Sequence, residues 1–80
     1  MQARSVTRDT EEDLDELDET DRAIERLEKR IQAQEQRVAQ LKREGIVGQS
    51  AEQIRVNLCE SLEELVRHRA LILHDLANGE

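Results

Sequence analysis

Apolar residues recur along the first half of the chain with a seven-residue period. Leu17, Ile24, Ile31 and Val38 form one column, and Thr20, Leu27, Gln34 and Leu41 form a second column three residues on. Two apolar columns at this spacing are the seam of a coiled coil, here with polar interruptions at Thr20 and Gln34. Thr10-Glu11-Glu12-Asp13 resembles a capping box, which predicts a helix starting at Thr10. Gly45, preceded by Lys42 and Arg43, predicts its end near residue 44.

After a turn over residues 45–49 the pattern restarts. Ser50 with Gln53 three residues later reads as a second capping box, opening a helix over about residues 50–77. The apolar face of this helix is wider. Leu58, Leu65 and Ile72 form one column, and Leu62, Arg69 and Leu76 a second. Cys59, Val66 and Leu73 form a third. A short connection makes the two helices antiparallel neighbours, so the predicted fold is all-α, an antiparallel two-helix hairpin. Residues 1–9 carry no periodic apolar pattern and are expected to be a flexible segment.

Folding the chain about residues 47 and 48 sets a register. It pairs Ile54 with Leu41 and Leu65 with Ile31, brings Arg69 near Arg26 and Leu27, and leaves Leu76 near Thr20. The first helix then overhangs the second by about 12 Å at 1.5 Å per residue. That overhang carries Leu14 and Leu17. A third apolar column and an apolar overhang both call for a covering surface. The simplest cover is a second copy, giving a homodimeric four-helix bundle. The expected interface residues are Leu14, Leu17, Ile24, Leu27, Ile31, Val38, Leu58, Leu62, Leu65, Val66, Arg69, Ile72, Leu73 and Leu76.

Composition narrows the function classes. Eighty residues without Phe, Tyr or Trp, with one cysteine and no proline, build at most one thin core. The longest apolar run, Ala70 to Leu73, is far short of the roughly 20 residues that span a membrane. The start MQARSVTRDT has no apolar region of a secretory signal, so the expected compartment is the cytoplasm.

The net charge is −7 and unevenly placed. Residues 1–21 hold nine acids against two arginines, whereas residues 22–44 hold seven bases against four acids. Arg22, Arg26, Lys29, Arg30, Arg37, Lys42 and Arg43 raise the reading of an RNA-binding hairpin, an architecture similar in shape to the hairpins of plasmid copy control. The absence of aromatics for base stacking and the acidic whole argue against nucleic acid. Several bases also have acids at helical spacing: Asp18 with Arg22, Glu25 with Lys29, Glu63 with Arg67.

Catalytic and metal chemistry finds no constellation. His68 and His74 are six residues apart and point about 120° apart around a helix. Cys59 reads as a small apolar residue at the edge of an interface. TEEDLDELDETD lacks the glycine that a calcium-binding EF-hand loop needs. Arg69 reads as a seam charge whose head reaches Asp21, Glu25 or Glu28. No catalytic residue, cofactor or metal is predicted. The expected role is a non-enzymatic interaction or scaffold module. A heterologous protein partner on the same surface, as for a small acidic chaperone or adaptor, is the alternative.

Overall fold

A computed structural model describes residues 2–78, with side chains from Thr10 onward. Two antiparallel helices, α1 (Gln2–Arg43) and α2 (Gln49–Ala77), pack along one seam. Among the described residues there is no strand. The molecule is a rod of 66 × 15 × 14 Å. Its radius of gyration is 18.4 Å, where a compact chain of this length would have about 12 Å. It exposes 6409 Å², against about 5000 Å² for a compact chain of its mass. A two-helix layer has no second layer to cover it, and these numbers measure that deficit.

The seam is the one the heptads predict. Leu27, Ile31 and Leu58 form the central core cluster, with Cys59, Leu62 and Leu65 packed against it. Ile72 is the most buried apolar residue, at 4% exposure, and Ala51 is buried near the turn. Thr20, one of the two polar interruptions, is the buried polar residue, at 6%. The other interruption, Gln34, donates from Nε2 to the Ala51 carbonyl at 2.9 Å and so ties α1 to the first turn of α2.

Three features depart from the sequence expectations. First, α1 does not start at Thr10. Its backbone is already helical at Gln2, so the Thr10 capping box does not form and residues 2–9 continue the helix. Nothing in QARSVTRD breaks a helix, since it holds neither glycine nor proline. Second, α2 starts at Gln49, with Gly48 as N-cap and no side-chain capping bond, so the Ser50 box does not form either. The Gly48 carbonyl accepts the Glu52 N–H at 2.9 Å and opens the helix before Ser50 is reached.

Third, the register is shifted. Arg69 meets Asp21, not Arg26 and Leu27, about five residues further along α1. The cause is the turn. Gly45 adopts φ 74°, the left-handed region. Its N–H donates to the Lys42 carbonyl at 3.0 Å, and the Ile46 N–H donates to the Leu41 carbonyl at 2.9 Å. These two bonds make a Schellman motif, which reverses the chain immediately after α1. Ile46 to Gly48 then already run back along α1. Gly48 sits so close that a Cβ there would lie 3.0 Å from the Leu41 Cδ1. The pivot is Gly45 and not residues 47 and 48, so α2 reaches further down α1. The shifted register shortens the overhang by about five residues, but α1 starts eight residues earlier than expected, so the overhang is longer overall. Leu17 is half-buried, and Leu14 stays 50% exposed.

A Cβ at Gly45 would meet no atom within 4 Å, so only its backbone angle opposes a side chain. Gly45→Ala is expected to cost about 1 kcal/mol, the penalty of the left-handed conformation for an L-residue. Urea unfolding of the two proteins measures it. Equal midpoints would mean that the turn can reverse without this angle.

Candidate interaction face

The two broad faces of the hairpin differ in chemistry. On one, seven-residue spacing aligns Ile54, Ser61, His68 and Asp75 on α2, beside Glu16, Ala23, Arg30 and Arg37 on α1. His68 Nε2 lies 2.7 Å from Glu16 Oε2 and crosses the seam there. Apart from Ile54, this row on α2 is polar.

On the opposite face, α2 presents Cys59, Val66 and Leu73. Val66 is 50% exposed and Leu73 38%. Shallow grooves on this face run between the helices. One is lined by Glu28, Ile31, Glu35 and Leu62 among others, and another by Glu35, Val38, Glu52 and Arg55 among others. Along their α1 rim Asp21, Glu28 and Glu35 recur at seven-residue spacing, with Lys42 next in the row and Lys29 also lining the first groove. On the α2 side Leu62 lines the first groove and Glu52 and Arg55 line the second, with Arg69 further along the seam.

Both arginines are held in place. Arg69 Nε donates to Asp21 Oδ1 at 2.6 Å across the seam. Each partner keeps more than two-fifths of its side chain exposed, so solvent screens the pair and it contributes at most about 1 kcal/mol. Arg55 Nε donates to Glu52 Oε1 at 2.7 Å, and Arg55 Nη1 lies 3.8 Å from Cys59 Sγ. The Arg55 hydrogen bond holds the Glu52 carboxyl below its ordinary value, against an opposing effect of burial, with the Arg55 and Lys42 charges assisting. Glu52 also stands in the first turn of α2, where a negative charge meets the positive end of the helix dipole.

A carboxyl with a lowered value stabilises the fold above the ordinary carboxylate range, and that contribution is lost as pH falls through the lowered value. Glu52 is therefore expected to titrate below the ordinary glutamate value in an NMR pH series. Arg55→Ala should return it towards that value. No change on that substitution would sever the link to Arg55.

The structure distributes the expected interface residues in three ways. Leu27, Ile31, Leu58 and Ile72 are buried between the protein's own helices. Leu17, Ile24, Val38, Leu62, Leu65, Arg69 and Leu76 are half-buried along the seam. Leu14, Val66 and Leu73 point outward. The cross-seam His68–Glu16 contact escaped sequence reasoning, since no spacing rule relates residues on different helices. The Glu52–Arg55 pair escaped it too, although its three-residue spacing was legible. Of the pairs that spacing did predict, Asp18–Arg22 closes at 3.1 Å on the exposed side of α1. The second histidine, His74, lies 2.9 Å from the Asn78 side-chain amide at the end of α2. Among the described residues no group of three or more His, Cys, Asp or Glu side chains could hold a metal ion. No helix among them is long and apolar enough to cross a membrane.

No protein-family model matches the chain, no curated protein is similar to it in sequence, and no solved structure matches it.

Proposed function

We propose that this protein is a non-enzymatic interaction module, and that its hairpin self-associates through the Cys59–Val66–Leu73 face into a four-helix bundle. The observation that carries the reading is the asymmetry of α2. Val66 and Leu73 of its third apolar column face outward on one side of the rod, with Cys59 set in against the core, while the matching positions on the other side are mainly polar. Water around Val66 and Leu73 is unfavourable by about 25 cal/mol per Å² of apolar surface, and a second layer would remove it. Core residues already occupy the seam, so the outward column is free to serve another chain.

Sedimentation equilibrium tests this directly. The protein is expected to reach twice its monomer mass at micromolar concentration, and Val66→Glu should return it to monomer while the helical signal at high concentration persists. A native chain that stays monomeric at high concentration would overturn self-association. A heterologous helix would then be the remaining occupant of the face.

A further inference from the structure

Two copies can meet across this face in two symmetric ways, and the charge pattern of the face distinguishes them. The inference rests on the self-association proposed above. With the two-fold axis along the helices, both turns lie at the same end and each α1 packs on the partner copy's α2. With the axis across the helices, the turns lie at opposite ends and like helices stack. We infer that the copies associate with their turns at the same end.

The face has two unlike halves. Its α1 half carries the acidic row Asp21, Glu28 and Glu35, closed by Lys42 near the turn, and its α2 half carries Val66 and Leu73 with Arg69 and the Arg55–Glu52 pair. Stacking α1 on α1 would press one acidic row against its own copy at the interface, where water is excluded and like charges are costly. Stacking α1 on α2 instead lays each acidic row against apolar surface and two guanidinium groups.

Axial position supports the same choice. An axis along the helices brings together residues at equal distance from the turn. Asp21 is level with Arg69, because the two are bonded within one hairpin. Glu35 is level with Arg55, because both line one groove. The same-end dimer therefore sets Asp21 near the partner copy's Arg69, and Glu35 near the partner copy's Arg55. Each guanidinium has five N–H donors, more than its own carboxylate takes.

One term opposes this arrangement. The acid-rich starts of both α1 helices come to the same end. They lie diagonally across the bundle, however, about 14 Å apart if neighbouring axes are about 10 Å apart. That exceeds the screening length of about 8 Å at physiological salt. Acidic rows in direct contact would be nearer than that length and less screened. The area is also sufficient. A face about 44 Å long, from the 29 residues of α2, and 15 Å wide gives roughly 700 Å² per copy, close to the roughly 800 Å² of a standard interface.

A single spin label on the turn reads the arrangement. Val47 is exposed, so Val47→Cys in a Cys59→Ala background gives one label per chain, with the mass checked by sedimentation. A label-to-label distance under about 25 Å is expected, since the turns would sit on neighbouring or diagonal helices of one bundle end. Ala77→Cys, at the far end of α2, should give a similarly short distance and covers the case in which the turn variant folds poorly. Distances beyond about 40 Å at both sites, the length of α2 at 1.5 Å per residue, would overturn the same-end arrangement while leaving self-association intact. Monomeric mass for both labelled variants and for the native chain would overturn both.

Discussion

Leu58→Ala is expected to lower the stability of the hairpin by about 2–5 kcal/mol, the range for truncating a buried leucine. Leu58 belongs to the central cluster with Leu27 and Ile31 and is the α2 residue of that cluster. A rod one layer thick has little means of closing the resulting void, because each core residue is flanked by solvent and not by a second shell of side chains. The loss is a large fraction of what so small a core supplies. Chemical denaturation at fixed protein concentration measures it, and concentration must be held because association adds to apparent stability. A loss below about 0.5 kcal/mol, the scale of surface substitutions, would place Leu58 outside the core.

Ile72→Ala is expected to cost a similar amount, about 2–5 kcal/mol, at a site two full heptads away. Ile72 is the most buried apolar side chain of the hairpin, although it lies towards the open end, where α2 has five more residues. Its burial comes from the register. With the pivot at Gly45, α2 reaches far enough down α1 for Arg69 to meet Asp21 and His68 to meet Glu16 on either side of the seam. The two substitutions share no contact in the core cluster, so their losses should add, and the double variant is expected to be unfolded because the sum exceeds the roughly 3–5 kcal/mol that so small a core supplies. Near-zero loss for Ile72→Ala would mean that the open end is not packed.

The helices and their seam were legible in the sequence because period and position are local properties. Leu27, Ile31, Leu58 and Ile72 lie on the columns that a seven-residue repeat picks out, and the residues core to the hairpin are among them. The end of α1 was legible because only glycine takes the Gly45 angle without strain. The register was not legible. It depends on Ile46 to Gly48 lying back against Leu41, a tertiary contact that no spacing in the sequence encodes. Both helix starts were misread for a related reason. Thr10 and Ser50 have cap chemistry, but a cap residue ends a helix only where the chain before it leaves the helical path. The chain before Thr10 has no reason to leave it, and the chain after Gly48 enters it at Gln49, ahead of Ser50. The candidate face was half legible. The third column of α2 could be counted, but which side of the rod it occupied depended on the fold.

The hairpin's contacts form a ladder whose rungs close ever larger loops. Gln34 to Ala51 spans 17 residues, Asp21 to Arg69 spans 48 and Glu16 to His68 spans 52. Each doubling of a loop adds only about 0.6 kcal/mol of closure entropy, but the first rung is the cheapest and the later ones shorten the remaining search. The chain should therefore zip from the Gly45 reversal outward, with the rungs near the turn formed in the rate-limiting step and the distant ones added afterwards. Two substitutions of equal equilibrium cost would then act on opposite limbs of the chevron. Leu58→Ala, nearer the turn, would mainly slow folding, and Ile72→Ala, nearer the open end, would mainly speed unfolding. The glycine that sets the register thus also sets the direction in which the molecule assembles and comes apart.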